Sequence, residues 1–513
     1  MRRSRWAWTL GVLLAVLLVA TAAGAASLRI LHINDFHGFA QPDTPLGTQQ
    51  EQGGAAYLAT RIKELRRERP TLLLAAGDMI QGNNLANLFQ GKSMVVLMNA
   101  LGLDAMVVGN HEFDFGQEVL RERIKEARFP VLGANVEGLP GLKPYVINKV
   151  GRLRVAVIGV VTPETATATH PRNVVGLKFE APEAAVRRCL PRVKPGADLV
   201  VVLSHLGYAA DRELAAQVPD IDVIVGGHSH TRLTEPVRVG NTIIVQAWEH
   251  GKVLGVLDVT VEKGKITRIQ GRLEDISPAV GREDPAVARL VAVYSREVDK
   301  KLEKVMGQAA VELDGQNVRR QETNLGNLVA DIIRQTAGAD AALINGGSLR
   351  TSIPAGPIRV KEIYNVLPFD NYIAAVRLTG AQLRAALEHG LSGLEEGAGR
   401  FPQVSGIAFT FDPGAPPGSR VREVTVGGQP LVPEKEYTVA TNDFLVAGGD
   451  GYVAFKDALG AEGGYQTTGG MLNSPRLSYN DPGRWLRDVV GEYIQTQGTV
   501  APRVEGRIKA LSK

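Results

Sequence analysis

The 513-residue sequence predicts an α/β protein of two units joined by a helix: a layered N-terminal domain and a C-terminal domain of mixed α and β character. Three observations lead there. Short, continuous apolar runs alternate with helical patterns from Leu28 to about Ile276. An amphipathic stretch follows between Asp284 and Lys304, and from Gly307 the composition shifts toward Gly, Pro and mixed patterns. Length agrees, because roughly 150 residues suit one domain.

The first 26 residues read as a signal peptide. Arg2, Arg3 and Arg5 precede the apolar stretch Trp6 to Ala20, and Ala23-Gly24-Ala25 offers a cleavage site of small residues. That stretch is short for a membrane span, and no sorting motif or apolar C-terminal tail points to an anchor. The mature chain is therefore expected to be exported, to a periplasm or the medium, without a stable membrane anchor. Removing three arginines and no acids lowers the formal charge from +4 to +1, so the pI near 9.0 does not argue for a nucleic-acid polymer as partner. Cys189 is the only cysteine, which excludes an intramolecular disulfide.

The first unit is expected to occupy 27–280. Its apolar runs are Leu28 to Ile33, Thr71 to Ala76, Ala105 to Val108, Leu153 to Val161, Leu199 to Leu203 and Ile221 to Val225, followed by Thr242 to Ala247 and an edge hairpin through Val253 to Val261. Being continuous, most of these strands should be covered on both faces. Helical patterns lie between them, as in Gly54 to Arg67 and Glu118 to Ala127. The linker helix, within 281–306, places Val287, Leu290, Val291, Tyr294 and Val298 at helical spacing. The second unit, 307–513, contains a helix over Ala381 to His389, a turn at Ser405-Gly406 and a surface loop from Asp412 to Gly418.

Five of the buried runs end in polar clusters. They are Asn34-Asp35-Phe36-His37, Gly77-Asp78, Gly109-Asn110-His111-Glu112-Phe113-Asp114, Ser204-His205 and Gly227-His228-Ser229-His230. In an open α/β sheet ligands bind beyond the carboxyl ends of the strands, so these clusters can converge on one crevice. Imidazoles and carboxylates in that number suit two divalent cations, with one carboxylate able to bridge. Unpaired buried carboxylates would otherwise be costly.

In this order the motifs resemble the calcineurin-like metallophosphoesterases, and the whole chain resembles the exported bacterial 5'-nucleotidases and UDP-sugar hydrolases among them. The resemblance implies αββα layering in the first unit and an α+β substrate-binding domain in the second. It implies that Asp35, His37, Asp78 and His230 hold one metal ion and that Asp78, Asn110, His205 and His228 hold the other, the ions being zinc, manganese or similar. His111 and Asp114 then form the catalytic pair. His32, His170, His250 and His389 are left a structural or solvent-exposed reading, and Glu112 a supporting one.

In the second unit Asn345-Gly346-Gly347-Ser348-Leu349-Arg350 offers a glycine turn followed by a guanidinium, and Arg319 or Arg320 could add another. The resemblance matches Asn345, Arg350 and Arg319 or its neighbour to phosphate contacts. It further implies that Phe369 and Phe444 stack on a base, that Asn371 meets a base edge and that Asp450 binds ribose. Asp370 departs from the family pattern and places an extra carboxylate near the base. The expected activity is hydrolysis of nucleoside 5'-monophosphates by a monomer, extending to UDP-sugars. The rivals are a 2',3'-cyclic-nucleotide phosphodiesterase/3'-nucleotidase and a nucleotide- or metal-binding surface protein without turnover.

Overall fold

The computed structural model describes residues 25–44, 49–262, 264–460, 466–468 and 471–511. The signal-peptide stretch through Gly24 lies outside the described residues. From Ala26 to Asp275 two six-stranded sheets lie face to face. The first orders its strands Lys265–Asp275, Val253–Glu262, Ala26–Ile33, Thr71–Ala75, Ala105–Val107 and Val131–Leu132. The second runs Val237–Val239, Thr242–Gln246, Val223–Gly226, Leu199–His205, Leu153–Val161 and Tyr145–Val150. Strand Ala26–Ile33 pairs in parallel with Thr71–Ala75, and Leu199–His205 pairs in parallel with both neighbours, so their carboxyl ends share one edge.

Side-chain alternation explains the layering. Leu28, Ile30, Leu72 and Leu74 point between the sheets toward Val155, Val157, Val201 and Val223. Their neighbours Leu31, Ile33 and Leu73 face outward onto Leu58, Ile62 and Leu65 of helix Ala55–Glu68. Ala156, Ile158, Val200 and Val202 face outward from the second sheet onto helix Pro182–Val193. With both faces covered, each strand must be apolar throughout. The result is the αββα arrangement expected from the resemblance.

Helix Pro285–Leu302 begins where Asp284 accepts hydrogen bonds from the N–H groups of Ala286 and Val287, each at 3.1 Å, with Pro at the first helical position. Val287, Val291, Val298 and Leu302 form its buried stripe. It packs on helices Ala55–Glu68 and Lys92–Leu101 of the first domain and on Val360–Val366 of the second.

The second domain centres on a five-stranded sheet ordered Pro402–Ser405, Ala341–Asn345, Glu436–Asn442, Tyr372–Thr379 and Leu477–Trp485. Ala342 and Ile344 face helix Asn324–Ala337, while Leu343, Ala374 and Val376 face helix Gly380–Gly390. Hydrogen bonds cross between the domains: Asn84 donates its side-chain N–H to the Lys361 carbonyl at 2.9 Å, and His170 Nε2 meets Asp443 Oδ2 at 3.1 Å.

Candidate active site

The carboxyl ends of five strands of the first domain open into a cleft of about 920 Å³ whose far wall is the second domain. Two groups of potential ligands face it: Asp35, His37 and His230, and Asp78, His205 and His228. Asn110 is buried beside them, and its Oδ1 has no hydrogen-bond partner. Among the described residues nine non-glycines have positive φ, and all but Gln90 cluster around this cleft: Asp35, His37, Asp78, His228, His230, Trp248, His250 and Asp450. Such backbone costs about 1 to 3 kcal/mol per residue and persists where surrounding contacts enforce it, most often at functional sites.

The imidazoles are oriented from behind. His37 Nδ1 lies 3.0 Å from the Gln81 carbonyl, His205 Nδ1 2.6 Å from the Ala76 carbonyl, and His230 Nδ1 2.7 Å from Glu249 Oε2. Each acceptor requires an Nδ1–H, which turns the Nε2 lone pair toward the cleft. Lone pairs then converge: His37 Nε2 and His230 Nε2 are 3.3 Å apart, and His205 Nε2 is 3.2 Å from Asp78 Oδ2. Two acceptors at that separation repel unless a proton or a metal cation lies between. Burial opposes charge on His205 and His230, but Asp78 and Asp35 respectively outweigh it, pushing the rings up to about 10 and about 9. Burial holds His228 down at about 4. The donor set, the aimed lone pairs and the unpartnered Asn110 oxygen fit two divalent ions.

Glycines make this convergence possible. A Cβ on Gly109 would stand 2.2 Å from Asp78 Oδ1 and 2.7 Å from His205 Nε2. Glu112 supplies the framework. Its carboxylate, 1 % exposed, accepts from the N–H groups of Asp78 at 2.9 Å, Met79 at 2.7 Å, Ile80 at 3.2 Å and Gly109 at 2.5 Å.

His111 belongs to neither ligand group, although its backbone N–H donates to Asp78 Oδ1 at 3.0 Å; its Nδ1 lies 2.6 Å from Asp114 Oδ2. Thr169 donates to the other Asp114 oxygen at 2.6 Å. Burial lowers the pKa of His111, but the Asp114 and Asp78 carboxylates outweigh it and raise it overall.

From the second domain Arg319, Asn345, Arg350, Phe369, Asn371, Phe444 and Asp450 all line the same cleft. Asn345 and Phe444 follow the sheet logic of the first domain, at the carboxyl ends of strands Ala341–Asn345 and Glu436–Asn442. Asn345 donates to Asp450 Oδ2 at 2.6 Å, and Asp450 sits at φ +52. Burial and then neighbouring Arg350 lower Arg319 to about 10, so it remains a cation at neutral pH. Arg350 lies 5.9 Å from the centroid of the Phe369 ring.

Three residues read from the sequence gain defined partners. His250 lines the cleft and stacks on Phe39 at 3.8 Å, and His170, also on the cleft wall, reaches Asp443 across the domain boundary. The Asp370 carboxylate pairs with Arg487, so it is already engaged by a cation outside the cleft. Arg400 lines the cleft as well, and so does Glu249, which had not been singled out. The signal for Glu249 was legible: Trp248-Glu249-His250 follows strand Thr242–Gln246 just as the ligand clusters follow theirs.

Two stacked sheets with imidazoles and carboxylates gathered at one edge define a metallophosphoesterase. Residues 28–232 match the calcineurin-like phosphoesterase family and residues 305–457 the 5'-nucleotidase C-terminal domain. The chain is 32% identical to the 5'-nucleotidase of Crotalus adamanteus venom, covering 96% of this chain and 90% of that one. It is also 32% identical to human 5'-nucleotidase, over 95% of this chain and 92% of that. With the trifunctional nucleotide phosphoesterase YfkN of Bacillus subtilis it shares 34% identity over 95% of its length, spanning 35% of that protein. The fold superposes on a 5'-nucleotidase precursor from Thermus thermophilus with a TM-score of 0.85 and 35% identity, covering 95% of this chain and 100% of that. The chain belongs to the 5'-nucleotidase family of calcineurin-like phosphoesterases.

Proposed function

We propose that this enzyme hydrolyses nucleoside 5'-monophosphates to nucleoside and phosphate, and extends to UDP-sugars. One observation carries the reading: a single cleft joins the His/Asp groups of the first domain to the arginines and aromatic rings of the second. Asp35, His37, Asp78 and His230 would hold one divalent ion, and Asp78, Asn110, His205 and His228 the other, with Asp78 shared. When bound, such ions polarise a phosphoryl group and supply a nucleophilic water at neutral pH.

The chain's own groups do the rest. Arg350 and Arg319 neutralise phosphate oxygens and, with Asn345, orient the ester. His111, held by Asp114 through Nδ1, presents Nε2–H to the phosphoryl group or the leaving oxygen, where a positive imidazole offsets developing charge and can deliver a proton. Phe369 and Phe444 enclose the base, Asn371 meets its edge and Asp450 accepts from ribose hydroxyls. Stacking tolerates every base because each has a π-face.

The reading also places a signal peptide at 1–26, the catalytic domain at 27–280, the linker helix at 281–306 and the substrate domain at 307–513, in an exported monomer. Among the described residues no helix is long and apolar enough to cross a membrane. Phosphate release from AMP, UDP-glucose and 2',3'-cAMP, assayed with Mn²⁺ or Zn²⁺, tests the reading. AMP is expected to be the best substrate; preference for the cyclic nucleotide would transfer the assignment to the phosphodiesterase rival.

A further inference from the structure

The loop carrying Phe369 and Asn371 runs from the end of helix Val360–Val366 to the start of strand Tyr372–Thr379. Its outer side is gripped by one short segment, Trp485-Leu486-Arg487, where strand Leu477–Trp485 passes into helix Leu486–Gln497. The Leu486 N–H donates to the Asn371 carbonyl at 2.8 Å, and Trp485 is the register partner of Tyr372. Arg487 makes the central contacts. Its Nη1 donates to the Phe369 carbonyl at 2.9 Å, and its Nη2 pairs with Asp370 Oδ1.

Arg487 is 8 % exposed and does not line the cleft. The Tyr364 ring lies 4.7 Å from its guanidinium carbon, which helps fix the plane of the fork. A rigid planar cation thus binds the backbone of one loop residue and the side chain of the next. This gives Asp370 a partner: on the cleft wall, with a side chain 58 % exposed, its carboxylate closes the clamp.

We propose that Arg487 is a positioning residue for the nucleoside: from behind the cleft it fixes the Phe369 loop, and with it the distance between the two rings that enclose the base. The proposal rests on the reading of Phe369 as a base-stacking ring. Its consequence is selective. Phosphate is handled by Arg350, Arg319 and the first domain, none of which Arg487 holds, so loosening the loop should weaken substrates through their base and leave a phosphate ester without a base unaffected.

The test compares AMP with ribose 5-phosphate, which keeps the ester and the sugar but has no aromatic ring, on the full-length, metal-reconstituted enzyme, as wild type and as Arg487→Lys, Arg487→Gln and Asp370→Ala. Losing a charge-assisted hydrogen bond should raise KM for AMP about tenfold in Arg487→Gln and less in Arg487→Lys, which keeps the charge but not the fork. Asp370→Ala, which spares the Phe369 carbonyl contact, should raise it about twofold to threefold. In all three, kcat for AMP and kcat/KM for ribose 5-phosphate should stay within about twofold of wild type. Unchanged KM for AMP in Arg487→Gln, or equal losses on both substrates, would overturn the proposal. Should both Arg487 variants fail to fold, Asp370→Ala decides, and an unchanged KM for AMP there overturns it. Wild-type enzyme that handles AMP no better than ribose 5-phosphate would instead remove the nucleoside reading on which the proposal stands.

Discussion

Replacing Glu249 should weaken one metal site and spare the other. Its Oε2 accepts from His230 Nδ1 at 2.7 Å while Oε1 accepts from Lys252 Nζ at 2.7 Å, so the carboxylate both fixes the ring and is itself fixed. In Glu249→Ala the His230 Nδ1–H loses its acceptor and the ring is free to turn or change tautomer, which removes the Nε2 lone pair from the cleft. Losing such an outer partner typically costs about 10- to 100-fold in metal affinity. That is roughly 1.4 to 2.7 kcal/mol. Glu249→Gln retains an acceptor oxygen without the charge and should fall near the lower end. Only the group Asp35, His37 and His230 contains this ring, so a competition titration against a chromophoric chelator should resolve one weakened and one unchanged step. Two equally weakened sites, or none, would refute the argument that a carboxylate behind His230 aims it.

Metal affinity should rise with pH. In the metal-free protein His205 and His230 titrate at about 10 and about 9, so below those values each ring holds a second proton that a metal must displace. Binding near pH 7 should release protons, detectable by calorimetry in two buffers of different ionisation enthalpy; no net release would contradict it. His111→Ala should lower kcat by about a hundredfold to ten-thousandfold, by loss of a positioned proton donor, while elemental analysis finds both metals retained. Phe444→Ala should lose roughly 1 to 3 kcal/mol of AMP binding while leaving ribose 5-phosphate hydrolysis intact. Gly109→Ala, which drives a methyl group against Asp78 and His205, should give a folded protein with depleted metal, checked by circular dichroism and metal content.

The first domain was legible because its central strands are buried on both faces and therefore uninterrupted, and because five of them end abruptly in ligand chemistry. Asp35, Asp78, Asn110, His205 and His228 could be placed by asking the same question of every strand. What lay beyond the sequence was orientation. Nothing in the sequence shows that the Gln81 and Ala76 carbonyls aim His37 and His205, since those acceptors belong to backbone. His170 could not be matched with Asp443 because the partners are 273 positions apart and in different domains. The partner of Asp370 was hidden for a related reason: proximity to Phe369 in sequence said nothing of Arg487, which arrives from a strand end more than a hundred residues later.

The four amide bonds to Glu112 have a mechanical consequence. They tie the turn after strand Thr71–Ala75 to the turn after Ala105–Val107, so residues 78 and 110 cannot drift apart when the two halves of the molecule flex. The side chain serves as a ruler for the spacing of two donors, the Asp78 carboxylate and the Asn110 amide oxygen, beside one another in the cleft. Shortening it to aspartate would leave two arms moving independently, with the gap between them no longer set.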